Sequence, residues 1–540
     1  MRPLGKLELA VVAGLLVLAG GCAVGPNYVT PAAPGGEAYS STPLPAETAS
    51  ADVAGGAAQR FVRGLDLPGQ WWTLFHSAAL NRLIEKSLKA NPNLQAAEAA
   101  LRVAMEGVRA QEGSYYPTVQ ANFTPSRQKN AVGTLSPTLT SGSPIYSLYT
   151  AQVSVSYMPD VFGLNRRLVE SLKAQAESQR FQLEAAYLSL TSNVAAAAVQ
   201  EASLRAQIEA TEKVIAIQRE QLEIFQRQFD LGSIAMTDVV AQQALLAQTL
   251  ATLPALRKQL AQQRNLLAAL AGILPSDESA EKFELATLRL PEELPLSLPS
   301  KLVEQRPDVR AAEEMLHAAS AQIGVASANL LPQTVLTAAK GGVSTQIGQM
   351  FRADNLFWAL AASVTQTVFD GGTLQSRKRE AVAAFDQAAA MYRGTVITAF
   401  QNVADTLGAL EFDAESLKAQ LVAERATAQS LEYVRRGVEL GSLGHLALLN
   451  AQQAYQQAVI NLTQARASRF SDTVALFQAM GGGWWNRSDV DAAKSSFDPD
   501  ATDSGGCARY DLTGAASMPW SPCNTRLRLL DPAAGKAEAR

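Results

Sequence analysis

The 540-residue chain has little of what most enzymes and nucleic-acid-binding proteins rely on. Three residues are histidine, three are cysteine, aromatics make up 6%, and the formal net charge is only -4. This charge gives no basic footprint for nucleic acid. His76, His317 and His445 are too far apart to form a local metal-binding motif, and the sequence has no phosphate-binding glycine loop or Gly-x-Ser-x-Gly motif. We therefore expect no catalytic site, no metal and no cofactor, apart from a covalent lipid argued next.

Long hydrophobic runs are absent beyond the N-terminus, so no membrane-spanning helix is predicted. At the N-terminus, Arg2 and Lys6 precede the apolar stretch Leu9 to Leu18, which is too short to span a bilayer. The stretch leads into Leu-Ala-Gly-Gly-Cys, which resembles a bacterial lipobox that ends at Cys22. We interpret residues 1–21 as a lipoprotein signal peptide and Cys22 as the lipidation site. An ordinary signal peptide followed by an incidental cysteine is the alternative.

The residue after Cys22 bears on the destination of the lipoprotein. Ala23 stands there in place of the aspartate that retains such proteins in the inner membrane. We therefore expect the outer membrane, with residues 22–70 as an extended, lipid-anchored segment on its periplasmic side.

The other two cysteines, Cys507 and Cys523, lie in a polar C-terminal tail of residues 482–540. An exported chain meets an oxidising compartment, so we predict that they form a disulfide. Closing a loop of about 15 residues stabilises a fold by roughly 3 kcal/mol in the chain-entropy model. Two unpaired thiols are the alternative.

The chain contains one structural unit written twice, with a shift of about 215 residues. We place the first repeat at residues 71–285 and the second at 296–481. Three pairs of segments match in the same order: Asn91–Leu94 with Arg306–Val309, Leu231–Ser233 with Leu440–Ser442, and Ala241–Ala244 with Ala451–Ala454.

Each repeat contains a helix, two strands and then long helices. The helices that come first are predicted from about Leu80 to Gln111 and from about Leu302 to Ala328. In the strands, apolar and small polar residues alternate, as in Val153, Val155 and Tyr157 between Gln152, Ser154 and Ser156. The strands are predicted at about 117–127, 147–158, 332–342 and 356–369.

The longest helices follow the strands. Neither Gly nor Pro occurs between Gly163 and Gly232, which allows one helix of roughly 100 Å. Thr373 to Glu439 corresponds to it in the second repeat. Shorter returning helices are predicted at about 238–270 and 446–480, so the chain is expected to be mainly α-helical.

The alternating strands predict either a soluble sandwich or part of a membrane barrel. Four strands cannot close a barrel around water, because unpaired backbone groups in lipid cost several kcal/mol each. Three copies of the chain would supply twelve strands, an even number within the range of outer-membrane barrels. The long helices of the three copies would then continue the pore as a helical tube.

Several short motifs, in their order and spacing, resemble the TolC-like outer-membrane factor family, in particular its lipoprotein branch, of the NodT type, that serves resistance-nodulation-division pumps. The resemblance covers about residues 22 to 484. The segments that carry it are Cys22–Tyr28, Trp71–Trp72, Asn91–Leu94, Asp160–Gly163, Val368–Gly372 and Gly481–Trp484.

The resemblance implies a homotrimer with a twelve-stranded β-barrel and a periplasmic α-helical tunnel. It also implies that the tunnel tip contacts a periplasmic adaptor protein and an inner-membrane transporter, and that the channel exports drugs or other small toxic compounds without catalysing a reaction. A duct for type I protein secretion and a lipid-anchored coiled-coil scaffold are the alternatives.

The turns near Gly232 and Gly441 are expected at the periplasmic tip. Family members often have an acidic ring after the second turn, but Ala447 and Asn450 occupy the matching positions here. Asp230 and Asp238 of the first repeat are the candidates for negative charge at the gate, and Asn450 with Gln452 for hydrogen bonds across the pore. Helix capping is the alternative role for Asp238.

Overall fold

A computed structural model describes residues 23–32, 38–39, 43–129, 145–277 and 281–487. The signal peptide, Cys22, Cys507 and Cys523 lie outside these residues, so their predicted roles stay predictions. Strand β1 (Arg60–Arg63) precedes the first repeat, whose elements are α1 (Ala78–Ala90), α2 (Pro92–Glu112), β2 (Thr118–Lys129), β3 (Ile145–Tyr157), α3 (Leu164–Asp230) and α4 (Met236–Leu270). Strand β4 (Glu293–Leu296) leads into the second repeat, whose elements are α5 (Pro299–Gln305), α6 (Pro307–Ala328), β5 (Gln333–Ser344), β6 (Leu356–Thr365), α7 (Thr373–Glu439) and α8 (His445–Ala479).

The helix predicted to open each repeat is in fact two helices, and that prediction was wrong. The first break falls at Asn91, whose backbone is extended and whose side-chain oxygen accepts hydrogen bonds from the N–H groups of Asn93 and Leu94. Pro92 follows, and a proline disfavours the helical conformation in the residue before it. Arg306 before Pro307 breaks the second repeat in the same way.

Four long strands form one antiparallel sheet in the order β2-β3-β5-β6. The last strand was predicted to reach residue 369 but ends at Thr365, which pairs with Gln333. Pro332, which precedes Gln333, has no N–H to donate, so the ladder stops there. A second, two-stranded parallel sheet pairs β1 with β4 and was not predicted.

The two longest helices, α3 and α7, have 67 residues each, which corresponds to roughly 100 Å. Each begins after a glycine with positive φ, Gly163 or Gly372. An aspartate just before that glycine, Asp160 or Asp370, accepts hydrogen bonds from the first free N–H groups of the helix. The helix start is therefore fixed in the same way in both repeats.

The helices pack in a row with two free edges. Helix α3 packs against α2, α4, α6 and α8, while α7 packs against α6 and α8. Hence α7 forms one edge of the chain, and α2 and α4 form the other. The main core includes aromatic side chains from the segment before α1 that pack against α8. The rings of Trp71 and Phe75 lie 5.5 and 6.1 Å from the ring of Phe477, measured between centroids.

The segment before the first repeat is held against α8 by a buried arginine. The guanidinium of Arg469, fully buried, donates to the backbone oxygens of Gly55 and Ala57 and to the side chain of Gln59. These charge-assisted hydrogen bonds compensate for burial of the cation and fix the course of the extended segment.

Close to Arg469, two carboxyl groups meet between α7 and α8. Asp472 shares a hydrogen bond with Asp413, and burial together with this neighbour raises the pKa of Asp472 from its ordinary value of 3.8 to about 7, against the lowering effect of Arg469. Ionising both of two neighbouring carboxyl groups costs free energy in a buried environment, because their like charges repel and are poorly solvated. The folded state therefore holds a proton that the unfolded state releases between about pH 4 and 7.

Because the folded-state pKa is raised, stability falls as the pH rises through this window. We predict that Asp472→Asn removes the penalty, raising the melting temperature at pH 8 and flattening its dependence on pH. The effect at pH 8 should be on the order of 1 kcal/mol or more. The exposed Asp405 on α7 offers a control, since Asp405→Asn should leave the pH profile unchanged. Thermal unfolding from pH 5 to 8 measures both variants, and a steep profile retained in Asp472→Asn would contradict the prediction.

Candidate functional site

The sheet has two faces of opposite polarity, which we call the oily face and the wet face. Directly paired residues share a face, so Val153 lies beside Ala121 and Lys340, and Lys340 beside Trp358. The main apolar side chains of the oily face are Val119, Phe123, Val153, Val155, Tyr157, Leu336, Trp358, Leu360 and Val364. The polar side chains of the wet face include Gln120, Asn122, Thr124, Gln152, Ser154, Ser156, Thr337 and Ser363.

Charge is scarce on the sheet. The four strands contain three charged residues, Arg127, Lys129 and Lys340, which are all basic and lie on the oily face by their pairing. The wet face carries no charged side chain on the four strands, although Tyr146, Leu148 and Phe357 lie on it among the polar residues. The register therefore makes the two faces continuous across all four strands, with the wet face the more polar of the two.

Neither face of the sheet is covered within the described residues. Every residue of β2 is exposed, and nearly every residue of β6 is too, with Trp358 and Leu360 each 73% exposed. A soluble sandwich buries one face of each sheet. The sandwich interpretation is therefore wrong for this chain.

The sheet also ends in two open edges. Among the described residues, β2 and β6 each pair with one strand only. An edge of ten or twelve residues presents a row of unpaired N–H and C=O groups. Such edges are stable in lipid only when another strand pairs with them.

At the other end of the long helices, the two helical hairpins meet. The turns after α3 and α7 have the same conformation, with positive φ at Gly232 and Gly441. Phe225 of the first hairpin lies edge-on to His445 of the second, with ring centroids 4.2 Å apart. Val239 and Leu448 complete a small apolar cluster that joins the two turns.

The structure places the three predicted gate residues near this tip, and among the described residues no hydrogen bond or ion pair joins their side chains to one another. Asp230 is exposed in the last turn of α3, and its carboxylate accepts a hydrogen bond from Gln226. Asp238 is half-buried in the first turn of α4, whose N-cap residue is Ala235, so Asp238 is not the cap. Asn450 is exposed on α8.

Two glutamines near the tip are buried, which the sequence pattern did not predict. Gln452 is buried rather than directed across a pore, so that part of the prediction was wrong. Its counterpart in the first repeat, Gln242, is fully buried and donates to the backbone oxygen of Gln218. Within the described residues, the side-chain oxygens of Gln242 and Gln452 have no hydrogen-bond partner. The repeated Ala-Gln-Gln-Ala motif is the sequence feature that could have pointed to these two equivalent buried glutamines.

The histidines are dispersed, and within the described ranges no three His, Cys, Asp or Glu side chains are grouped as metal ligands. His317 is half-buried between Glu170 and Glu314 and stacks on Tyr28 at 4.4 Å. Hydrogen bonds to Glu314 and Glu170 raise the pKa of His317 against the opposing effect of burial. This group holds the N-terminal segment to α3 and α6.

An amphipathic sheet with open edges, joined to hairpins of about 100 Å, defines a subunit of an outer-membrane channel with an attached helical tunnel. The chain belongs to the outer membrane efflux protein family, whose model matches residues 83–273 and 298–482. These two stretches coincide closely with the two repeats. The predicted family, fold class and role as an outer-membrane efflux protein are confirmed.

Known relatives agree in length and fold. The chain is 31% identical to the toluene efflux pump outer membrane protein TtgC of Pseudomonas putida over 483 residues, covering 89% of this chain and 96% of the relative. The antibiotic efflux pump outer membrane protein ArpC of Pseudomonas putida gives the same identity and coverage. The solved open state of the Neisseria gonorrhoeae MtrE outer membrane channel matches with a TM-score of 0.72 at 26% identity, covering 86% of this chain and 99% of that one.

The position of Asp238 leads to a test of the gate residues. If its carboxylate contributes negative charge to the tip, Asp238→Asn should lower the preference for cations, by about twofold in permeability ratio. Asn450→Asp, which restores an acid at the family's ring position, should shift the ratio the other way. Reversal potentials in planar bilayers under a salt gradient measure both, with Asp277→Asn, in the linker after α4, as the control. Unchanged reversal potential in Asp238→Asn would contradict a gate role.

Proposed function

We propose that three copies of this chain assemble into a channel that conducts small toxic compounds across the outer membrane, without catalysing a reaction. A periplasmic adaptor protein and an inner-membrane transporter would deliver the cargo at the helical tip. The observation that carries this proposal is the sheet with two open edges and two uncovered faces of opposite polarity. Closing its edges with copies of itself satisfies the backbone and places the wet face around a lumen.

The helices support assembly in the same way. Edge helix α7 exposes several large apolar side chains, and the opposite edge exposes Val103 of α2 together with Val240 and Leu266 of α4. Helix α4 is long and apolar enough to cross a membrane by length and composition alone. Only 28% of its most apolar 18-residue stretch is buried in the single chain. In a closed ring of three copies, each chain has two neighbours, and each neighbour would cover one of its two edges. The exposed residues of α7 are Val382, Met391, Ile397, Phe412 and Val422.

The wet face and the relatives together favour small-molecule cargo. Gln152, Ser154 and Ser156 carry no charge, so the barrel lumen has no charged filter on these positions. The relatives are named for efflux of toluene and of antibiotics. We infer that this chain exports compounds of that kind, rather than secreted proteins.

Neighbouring positions on β3 test the assignment of the two faces. Val155 pairs with the apolar residues Val119 and Ala338, so Val155→Arg places a cation on an uncharged part of the oily face, where it costs about 2–4 kcal/mol near the middle of the bilayer. Ser154→Arg places the same cation on the wet face. We expect Val155→Arg to abolish heat-resistant trimers in the outer membrane, and Ser154→Arg to keep the trimer while changing its single-channel conductance. Equal effects of the two variants on assembly would overturn the proposal.

We also propose that a lipid on Cys22 anchors the chain at the periplasmic rim of the barrel. The residues next to Cys22 support this proposal, since the N–H of Val24 donates to the backbone oxygen of Phe162 at the junction of β3 and α3. Arg167 donates to the backbone oxygens of Val24 and Gly25. An acyl chain on Cys22, two residues before Val24, would therefore start at the level where the strands leave the membrane.

Replacing the thiol tests the anchor separately from the channel. Cys22→Ser should lose the acyl mass and metabolic labelling with palmitate, because the oxygen cannot take the lipid. Trimers should still form, since the barrel supplies far more buried apolar area than one lipid anchor. Mass spectrometry of the mature N-terminus and gel analysis of trimers measure the two outcomes. Palmitate labelling retained in Cys22→Ser would contradict the assignment.

A further inference from the structure

The two strand-to-helix junctions differ in one respect that the repeat does not explain. We call Val161–Gly163 the first corner and Val368–Gly372 the second corner. At the first corner, Val24 pairs with Phe162, and a side chain on Gly163 would come within 2.7 Å of Ala23. The N-terminal segment thus covers this corner.

The second corner is bare. Val368 is 95% exposed and Phe369 is 90% exposed in the single chain, more than any other large apolar residue among those described. Asp370 holds the backbone there by accepting hydrogen bonds from the N–H groups of Gly372, Thr373 and Leu374. The two apolar side chains are therefore displayed from a fixed turn, directly below β6.

Basic residues follow within the first two turns of α7. Arg377 and Arg379 are exposed and Lys378 is half-buried. Within the described ranges, none of the three forms an ion pair, and Arg379 donates a hydrogen bond to Ser376. They lie roughly 6–9 Å along the helix from its start. We call Val368, Phe369 and these three residues the collar.

The collar has acidic neighbours whose effect is limited. The carboxylate of Asp370 is engaged by three backbone N–H groups at a helix N-terminus, and these bonds lower its pKa against the effect of burial. Glu380 lies one residue beyond the basic run and lines a shallow groove with Arg377. Three cations against these two acids leave the collar with a net positive charge.

We propose that the collar binds anionic phospholipid headgroups in the periplasmic leaflet of the outer membrane, with Val368 and Phe369 inserted at the interface. This inference rests on the proposed placement of the barrel. At an anionic lipid surface, apolar side chains insert at the interface and neighbouring Lys and Arg side chains attract the headgroups. The first corner adjoins the expected lipid on Cys22, so each protomer would contact the membrane surface at both of its corners.

A tryptophan at the second corner reports on what covers it. We would introduce Phe369→Trp into full-length acylated trimers in which Trp358→Phe removes the fluorophore on the oily face. The trimers are reconstituted into phosphatidylcholine vesicles with about one-fifth phosphatidylglycerol, and either lipid is supplied in brominated form to quench the fluorescence. Phe369→Trp should be quenched, and at equal mole fraction about twofold more steeply by the brominated phosphatidylglycerol.

Charge variants test the recognition of the headgroup. Arg377→Gln, Lys378→Gln and Arg379→Gln, combined, should bring the two quenching curves together. The matched control combines Arg219→Gln, Lys258→Gln and Lys418→Gln, three exposed cations of the long helices, and should keep the difference. Equal quenching by both lipids before any charge is removed would overturn the headgroup preference.

Channel conductance of the same vesicles separates this inference from the proposed function. If the trimers conduct but Phe369→Trp is not quenched by either lipid, a neighbouring protomer covers the corner and the collar inference fails while the channel stands. If the trimers do not conduct and wild-type Trp358 is not quenched, the barrel is not in the bilayer, and the proposed function fails with it.

Discussion

The hydrogen-bonding requirement of the backbone in lipid determines most of this architecture. Strands β2 and β6 leave on the order of twenty backbone groups without partners at the two edges of the sheet. Each such group costs several kcal/mol in a bilayer, so the isolated sheet is not a stable membrane structure. Pairing between copies removes the whole cost, whereas a covering helix or a charged edge residue would remove only part of it. The oily and wet faces then acquire distinct surroundings without any further change in the chain.

Local patterns were enough to predict the elements that depend on local physics. The alternation around Val153 located β3 because successive side chains of a strand point to opposite faces. The absence of Gly and Pro between Gly163 and Gly232 predicted the length of α3, because these two residues destabilise the interior of a helix. Features that depend on distant partners were not predictable. The parallel pairing of β1 with β4, the contacts of Arg469 and the proton shared by Asp472 all require knowledge of which segments meet.

The candidate site shows the same division. The polarity of each sheet face follows from the sequence, but the register that makes the faces continuous across four strands does not. At the tip, Asp238 and Gln452 were both read as polar residues near a turn. Yet Asp238 is half-buried and Gln452 is buried, while Asn450, two positions before Gln452 on the same helix, is exposed. Which of two neighbouring polar residues is buried depends on how the surrounding helices pack, and the pattern of one helix does not contain that information.

The distribution of packing along the helices bears on where movement is least costly. The main core contains the fully buried rings of Trp71, Phe75 and Phe477, while the clusters toward the tip contain only three buried apolar residues each. Gln242 and Gln452 add buried amide oxygens without described partners at the tip end. Regions with few apolar contacts and unsatisfied polar groups open at lower free energy than well-packed cores. Since closure of the sheet fixes the membrane end, a conformational change that widens the conduit is least costly at the hairpin turns, where the two repeats are joined by the small cluster around Phe225, Val239 and Leu448.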